Sequence, residues 1–92
     1  MTQISLQTPY LLHRRDSSKN MARFYCLDLS NDLFGGITLE RSYGRIGTLG
    51  QQLNMHFADT ASAQEALDAL LNSKLRKGYQ PVANTPHYLS IL

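Results

Sequence analysis

Two segments with a period of two flank a cluster of glycines, and a segment with a period near 3.6 follows them directly. Ile37, Leu39, Arg41 and Tyr43 alternate with Thr38, Glu40 and Ser42, and Leu53, Met55 and Phe57 alternate with Gln52, Asn54 and His56. Between them Gly44, Gly47 and Gly50 recur at every third residue. Successive side chains of a strand point to opposite faces, so each segment has one apolar-leaning face, and glycines at this spacing suit a tight hairpin. Beyond Asp59, residues Ala63, Ala66, Leu67, Leu70, Leu71 and Leu75 return at intervals of three and four, the apolar stripe of a helix. Ser62 and Glu65 have capping-box spacing, with Thr60 as a competing N-cap. Lys74, Arg76 and Lys77 complement the dipole at the other end, and Gly78 ends the helix.

Upstream, Ile4, Leu6 and Tyr10 to Leu12 read as a first strand, with Pro9 marking an edge or bend. Asp16 to Asn20 is a loop by composition. In the segment from Arg23 to Leu29, residues Tyr25, Leu27 and Leu29 share one face, while Phe24 and Cys26 make the other partly apolar. A central strand, or one covered on both sides, has that pattern. Ser30 to Gly36 is a turn. The end of the chain, Tyr79 to Leu92, either docks its apolar Tyr88–Leu92 segment as an edge strand or leaves it undocked. The fold class that follows is α+β: a small antiparallel β-sheet of about four to five strands with one long helix packed on one face. A chain of 92 residues makes one domain over 1–92, burying roughly 60–65% of its unfolded surface. Few side chains can then be diverted from packing to chemistry.

With one cysteine there is no internal disulfide, which fits a reducing cytoplasm. The first residues lack the features of a signal peptide. No apolar run approaches the roughly 18–20 residues of a membrane span, so no membrane partner is expected. The net charge of +2 names no partner by itself, but its distribution is uneven. Residues 1–23 carry Arg14, Arg15, Lys19 and Arg23 against Asp16; residues 24–73 carry Arg41 and Arg45 against six acids; residues 74–92 carry Lys74, Arg76 and Lys77 against none. One face of the protein is basic if the two ends meet.

Catalytic patterns are poor. His13, His56 and His87 lie far apart with no ligand at metal spacing, and Cys26 sits in an apolar strand where a thiol packs as a small hydrophobe. Gly44-Arg45-Ile46-Gly47 fits no phosphate-loop motif. The expectation is a protein that is not an enzyme and that holds no metal or cofactor. What remains is Arg41-Ser42-Tyr43-Gly44-Arg45, two arginines around an aromatic residue at a strand end. Tyrosine offers a flat face to a base or sugar, and arginine contacts phosphate or stacks. Gly44 removes a side chain where a backbone would approach a ligand. The other reading leaves Tyr43 packed on the sheet and both arginines solvated.

Phe24-Tyr25 opening a strand, the double-glycine turn, Tyr43-Gly44-Arg45-Ile46-Gly47 followed by Gly50-Gln51, and a helix with Glu65-Ala66 ending in Lys74 to Tyr79 occur in a fixed order. In this the chain resembles the WGR domain, named for a Trp-Gly-Arg tripeptide and found in poly(ADP-ribose) polymerases and small bacterial proteins. The resemblance covers roughly residues 10–80, leaving 81–92 as a C-terminal tail or edge strand. It implies a non-catalytic module that binds DNA at the phosphate backbone, at strand ends or at nicks, in the cytoplasm or on the nucleoid. By motif position Tyr43 stands in place of the tripeptide's Trp and takes the stacking role, while Arg45 takes the backbone or interdomain contact. The expected binding residues are Tyr43, Gly44, Arg45 and Arg41, extended by Lys74, Arg76, Lys77, Arg14 and Arg15 if the chain ends meet there. The alternative is a protein-interaction or homo-oligomerisation module using the sheet edge and the C-terminal tail, alone or beside a larger protein partner.

Overall fold

The computed structural model describes residues 9–82. Strands β1 (Tyr10–Asp16), β2 (Met21–Asn31), β3 (Ile37–Arg45) and β4 (Gln51–Phe57) precede one helix, α1 (Thr60–Arg76), and a two-residue strand, β5 (Gln80–Pro81). The strands pair antiparallel in the order β4-β3-β2-β1-β5. The first four form a meander of hairpins. The helix then crosses from the β4 edge and delivers β5 to the far side of β1. This is the antiparallel sheet with one helix that the alternation predicts, and β4 has the bounds read from the sequence.

Three turns hold the meander. Between β1 and β2, the Asp16 carboxylate accepts from the backbone N–H (3.1 Å) and hydroxyl (2.6 Å) of Ser18, and Asn20 takes a left-handed φ of 52°. Between β2 and β3, Asp32 Oδ1 accepts from the N–H groups of Phe34 and Gly36, each at 2.8 Å, an Asx-type turn. Between β3 and β4, Gly50 has φ +70°, and a Cβ there would meet the Tyr43 carbonyl and lie 2.8 Å from Phe24 Cζ. Only glycine closes this hairpin without strain.

The core lies between the sheet and the helix. Leu12, Tyr25, Leu27, Leu29, Ile37, Leu39, Ala63, Leu67 and Tyr79 are buried in one cluster, with Tyr10, Tyr43, Phe57, Ala66, Leu70 and Leu71 packed around it. β2 is the central strand, as its two-sided apolar pattern implies. On the face without the helix, Phe24 is covered by the β3–β4 hairpin at Gly44 and Gly50.

Several expectations are corrected. The helix is capped by Asp59 rather than by Ser62 or Thr60: its carboxylate accepts from Ser62 N–H at 2.7 Å. That bond and a second from the Ser62 side chain hold the carboxyl below its ordinary range. Asp59 wins because it stands one residue before the first helical residue, where a cap must be. Leu75 falls off the buried stripe and is 39% exposed. Leu53 and Met55 share the helix-bearing face yet remain 44% and 36% exposed at the outer strand. β1 runs on through Arg14 and Arg15 to Asp16, and β2 reaches Asn31. The Ile4–Leu6 and Tyr88–Leu92 segments lie outside the described residues.

Candidate nucleic-acid interface

Register decides which charges meet. Arg14 pairs with Arg23 and Arg23 with Arg45, so three arginines cross the helix-bearing face in one row. The next row on that face is Leu12, Tyr25, Tyr43 and Gln51, and the one after it places Arg41 between Leu27 and Leu53. Directly opposed residues of antiparallel strands share a face. Arg41, Tyr43 and Arg45 therefore project to the same side as Arg14, Arg23 and the helix.

Three tyrosines form the floor. The rings of Tyr25 and Tyr43 stack at 6.0 Å and 23°, and Tyr25 meets Tyr79 edge-on at 6.1 Å and 64°, both within the range of favourable aromatic pairs. Tyr25 and Tyr79 are buried while Tyr43 is only half-buried, and the Tyr43 hydroxyl donates to Gln51 Oε1 at 3.3 Å. Lys74, on the sheet-facing stripe of the helix, sets Nζ 4.6 Å from the centroid of Tyr25 and 5.5 Å from that of Tyr79, a cation–π contact with both rings. Among the described residues, β1 and the end of the helix meet here: a methyl at Gly78, just past the helix, would stand 3.4 Å from Arg14 Nε.

The electrostatics are one-sided. Burial pushes the Lys74 ammonium below its ordinary pKa, and the neighbouring charges of Lys77, Arg41 and Arg23, all cations, push it further. Arg41 Nη1 donates a long 3.4 Å bond to the Tyr25 hydroxyl. Its Nε is buried and without a hydrogen-bond partner among the described residues. A buried donor on a charged group is costly until an acceptor arrives. Arg45 is tethered through Nη1 to the Asn20 carbonyl (3.3 Å) and through Nη2 to Asn20 Oδ1 (3.4 Å), which anchors it at the rim.

Not every expected residue joins this cluster. Arg15 projects to the opposite face, where with His13, Gly78, Gln80, Pro81 and Val82 it lines an open recess of about 320 Å³. Arg76 is exposed on the last helical turn, off the stripe that carries Leu67, Leu70, Leu71 and Lys74. Lys77 caps the helix and bears on the site through Lys74. At Gly44 the close neighbour is the chain's own backbone: a Cβ would lie 2.7 Å from Gly50 Cα. The site also holds residues not anticipated as binding residues, namely Arg23, Tyr25 and Tyr79. Arg23-Phe24-Tyr25 has the same two-residue spacing as Tyr43-Gly44-Arg45 run in reverse, as an antiparallel pair requires. That symmetry is the signal in the sequence.

Elsewhere the titratable groups have structural settings. Cys26 is half-buried, and burial, then Asp28 and Glu40, raise its pKa, which opposes the thiolate a nucleophile needs. His56 Nδ1 shares a 3.1 Å hydrogen bond with the Thr38 hydroxyl. Among the described residues no group of three His, Cys, Asp or Glu side chains is placed to hold a metal ion. Nor is any helix long and apolar enough to cross a membrane.

A cationic rim over stacked tyrosines, at the end of a meander capped by one helix, matches the order of motifs in the sequence. Against protein families, the model of the WGR domain matches residues 8–86. The chain belongs to the WGR domain family. Members of this family are nucleic-acid-binding, non-catalytic domains. Among relatives, an uncharacterised protein, y4dW, of Sinorhizobium fredii (strain NBRC 101917 / NGR234) is 40% identical over 85 residues, which is 90% of this chain and 42% of that protein. A crystal structure of a Bacteroides fragilis protein shares the fold with a TM-score of 0.70 at 24% identity, over 82% of this chain and 19% of that one. The WGR chain thus spans less than half the length of either protein.

Proposed function

We propose that this WGR domain binds DNA through the helix-bearing face, with Arg14, Arg23, Arg41, Arg45 and Lys74 on phosphates and Tyr43 against an exposed sugar or base at a strand end or nick. The observation that carries the reading is the convergence of these cations around a tyrosine floor, with cations the charged neighbours of Lys74 and a buried Arg41 Nε unpaired among the described residues. Holding like charges together costs stability in the free protein, and a polyanion reverses that cost. Tyr43 is half-buried, with one side of its ring against Tyr25. That geometry suits a capping contact on a terminal nucleotide better than insertion between stacked bases. The domain positions nucleic acid and transforms nothing. Its place in the cell would be the cytoplasm or nucleoid.

Affinity for nicked, blunt-ended and intact duplexes at two salt concentrations tests this, with Tyr43→Ala and Arg45→Ala beside the wild type. Five phosphate contacts predict a slope of log affinity against log salt of about −4.5. Tyr43→Ala should remove the preference for ends, and Arg45→Ala should weaken all three duplexes alike. Unchanged affinity in both variants would sink the site, and absence of binding at low salt would sink the function.

A further inference from the structure

The two edges of the sheet are built differently. At one, β5 is two residues long and ends in Pro81, the short, proline-bearing kind of edge that resists pairing. At the other, β4 runs for seven residues, QQLNMHF, with no charge, proline or glycine. Among the described residues β4 pairs with β3 alone. Gln51 to His56 are all exposed, and Leu53 and Met55 leave apolar surface open on the helix-bearing face. Alternate residues of an edge strand direct N–H and C=O groups outward, an unspent row of donors and acceptors. Soluble proteins usually blunt such a row with lysine, proline or a bulge, and β4 has none of these.

The side chains along the row indicate what satisfies it. We infer that β4 pairs antiparallel with β4 of a second copy of this chain, about a twofold axis at Asn54. Centring there sets Leu53 opposite the partner's Met55, Gln51 opposite the partner's Phe57, and Gln52 opposite the partner's His56. Leu53 and Met55 of both copies then form one apolar patch on the helix-bearing face, while the two Asn54 amides meet on the other. Neither strand carries a formal charge, so self-pairing meets no like-charge repulsion across the ladder. A slip of one residue sets Leu53 opposite Asn54 and turns the partner's helix to the wrong side of the joined sheet. The interface is isologous, as a twofold dimer requires. It lies on the opposite edge from Pro9 and β5, and it leaves both Tyr43 clusters on the same side of the joined sheet.

Sedimentation of the full chain over a wide concentration series tests the pairing. The wild type should shift from monomer to dimer with concentration. Asn54→Lys, which sets two ammonium groups against each other on the axis, should remain monomeric with an unchanged circular dichroism spectrum. Register is tested by oxidation in a Cys26→Ser background. Asn54→Cys places two thiols on directly opposed residues, with Cα atoms about 4.5–5.5 Å apart, inside disulfide range. Gln52→Cys leaves its pair roughly 13 Å apart along the strands. Cross-linking at 54 and not at 52 supports the inference. A wild-type monomer at every concentration, a dimer indifferent to Asn54→Lys, or equal cross-linking at both positions overturns it.

Discussion

Replacing Lys74 with methionine separates what the cationic cluster does for binding from what it does to the fold. Lys74 Nζ lies 4.6 Å from the Tyr25 ring centroid, a contact contributing about 0.5–1 kcal/mol to the charged form. A thioether over the same ring restores about 0.3–1.5 kcal/mol, so the aromatic terms largely cancel. What remains is relief of the burial and of the repulsion from Lys77, Arg41 and Arg23 that lower the Lys74 pKa. Lys74 is only partly buried and solvent screens these terms, so Lys74→Met should leave stability unchanged or raise it by no more than about 0.5 kcal/mol, a Tm increase of roughly 2–4 °C for a domain of this size. DNA binding moves the other way. One lost phosphate contact flattens the salt slope by about 0.9, which at 0.1 M salt is roughly an eightfold loss of affinity.

The effect on stability has a pH signature. In the folded protein Lys74 releases its proton below the ordinary lysine value, so the unfolded chain binds more protons between the lowered pKa and about 10.4. Stability of the wild type then rises with pH through that window relative to Lys74→Met, and the advantage of the variant narrows as lysine loses its charge. Urea denaturation at neutral and alkaline pH, beside titrations of a labelled duplex, reads both effects. A variant destabilised by more than about 1 kcal/mol, with its DNA affinity intact, would refute the reasoning and make Lys74 a structural residue.

Three further outcomes follow from particular contacts. Gly50→Ala forces a Cβ against the Tyr43 carbonyl at φ +70° and should cost about 1–3 kcal/mol in chemical denaturation, weakening DNA binding only as far as the hairpin shifts. Tyr43→Trp enlarges the ring at the end of the cluster and should strengthen binding to blunt and nicked duplexes over intact duplex several-fold, since stacking on an aromatic residue contributes about 1–3 kcal/mol per base. Arg15→Ala, on the opposite face, should alter affinity far less than Arg23→Ala, although both remove one positive charge. Fluorescence anisotropy at a single salt concentration compares the two directly.

How much was legible varies with the range of the interaction involved. The bounds of β4, the glycine hairpin and the helix follow from periodicity, which is a property of neighbouring residues. The cap is ambiguous in the sequence because Asp59, Thr60 and Ser62 all bear capping oxygens, and only the point where extended backbone ends, at Asp59, selects among them. Gly44 suggests a close approach of backbone to a ligand, yet its close neighbour is Gly50, across a hairpin whose geometry the glycine spacing does not specify. In the candidate site, Arg41 and Tyr43 were visible from local spacing. Arg23 joins the site only through strand pairing with Arg14 and Arg45, which local spacing does not show.

Local pattern alone makes this a sheet of alternating strands with one amphipathic helix, gathers the acids in the middle of the chain, and ends a strand with Tyr43-Gly44-Arg45 at a hairpin. Those statements need only the 2.0 and 3.6 periods and a count of charges. Strand register and helix placement bring Arg14, Arg23, Arg41, Arg45 and Lys74 onto one surface, turn Arg15 away from it, and leave β4 uncovered on its outer side among the described residues. Periodicity says which residues of a strand face the same way, but not which strand lies beside it or where a helix ends above it. Register and helix placement are long-range choices made by burial of the whole core, and the charges travel with them.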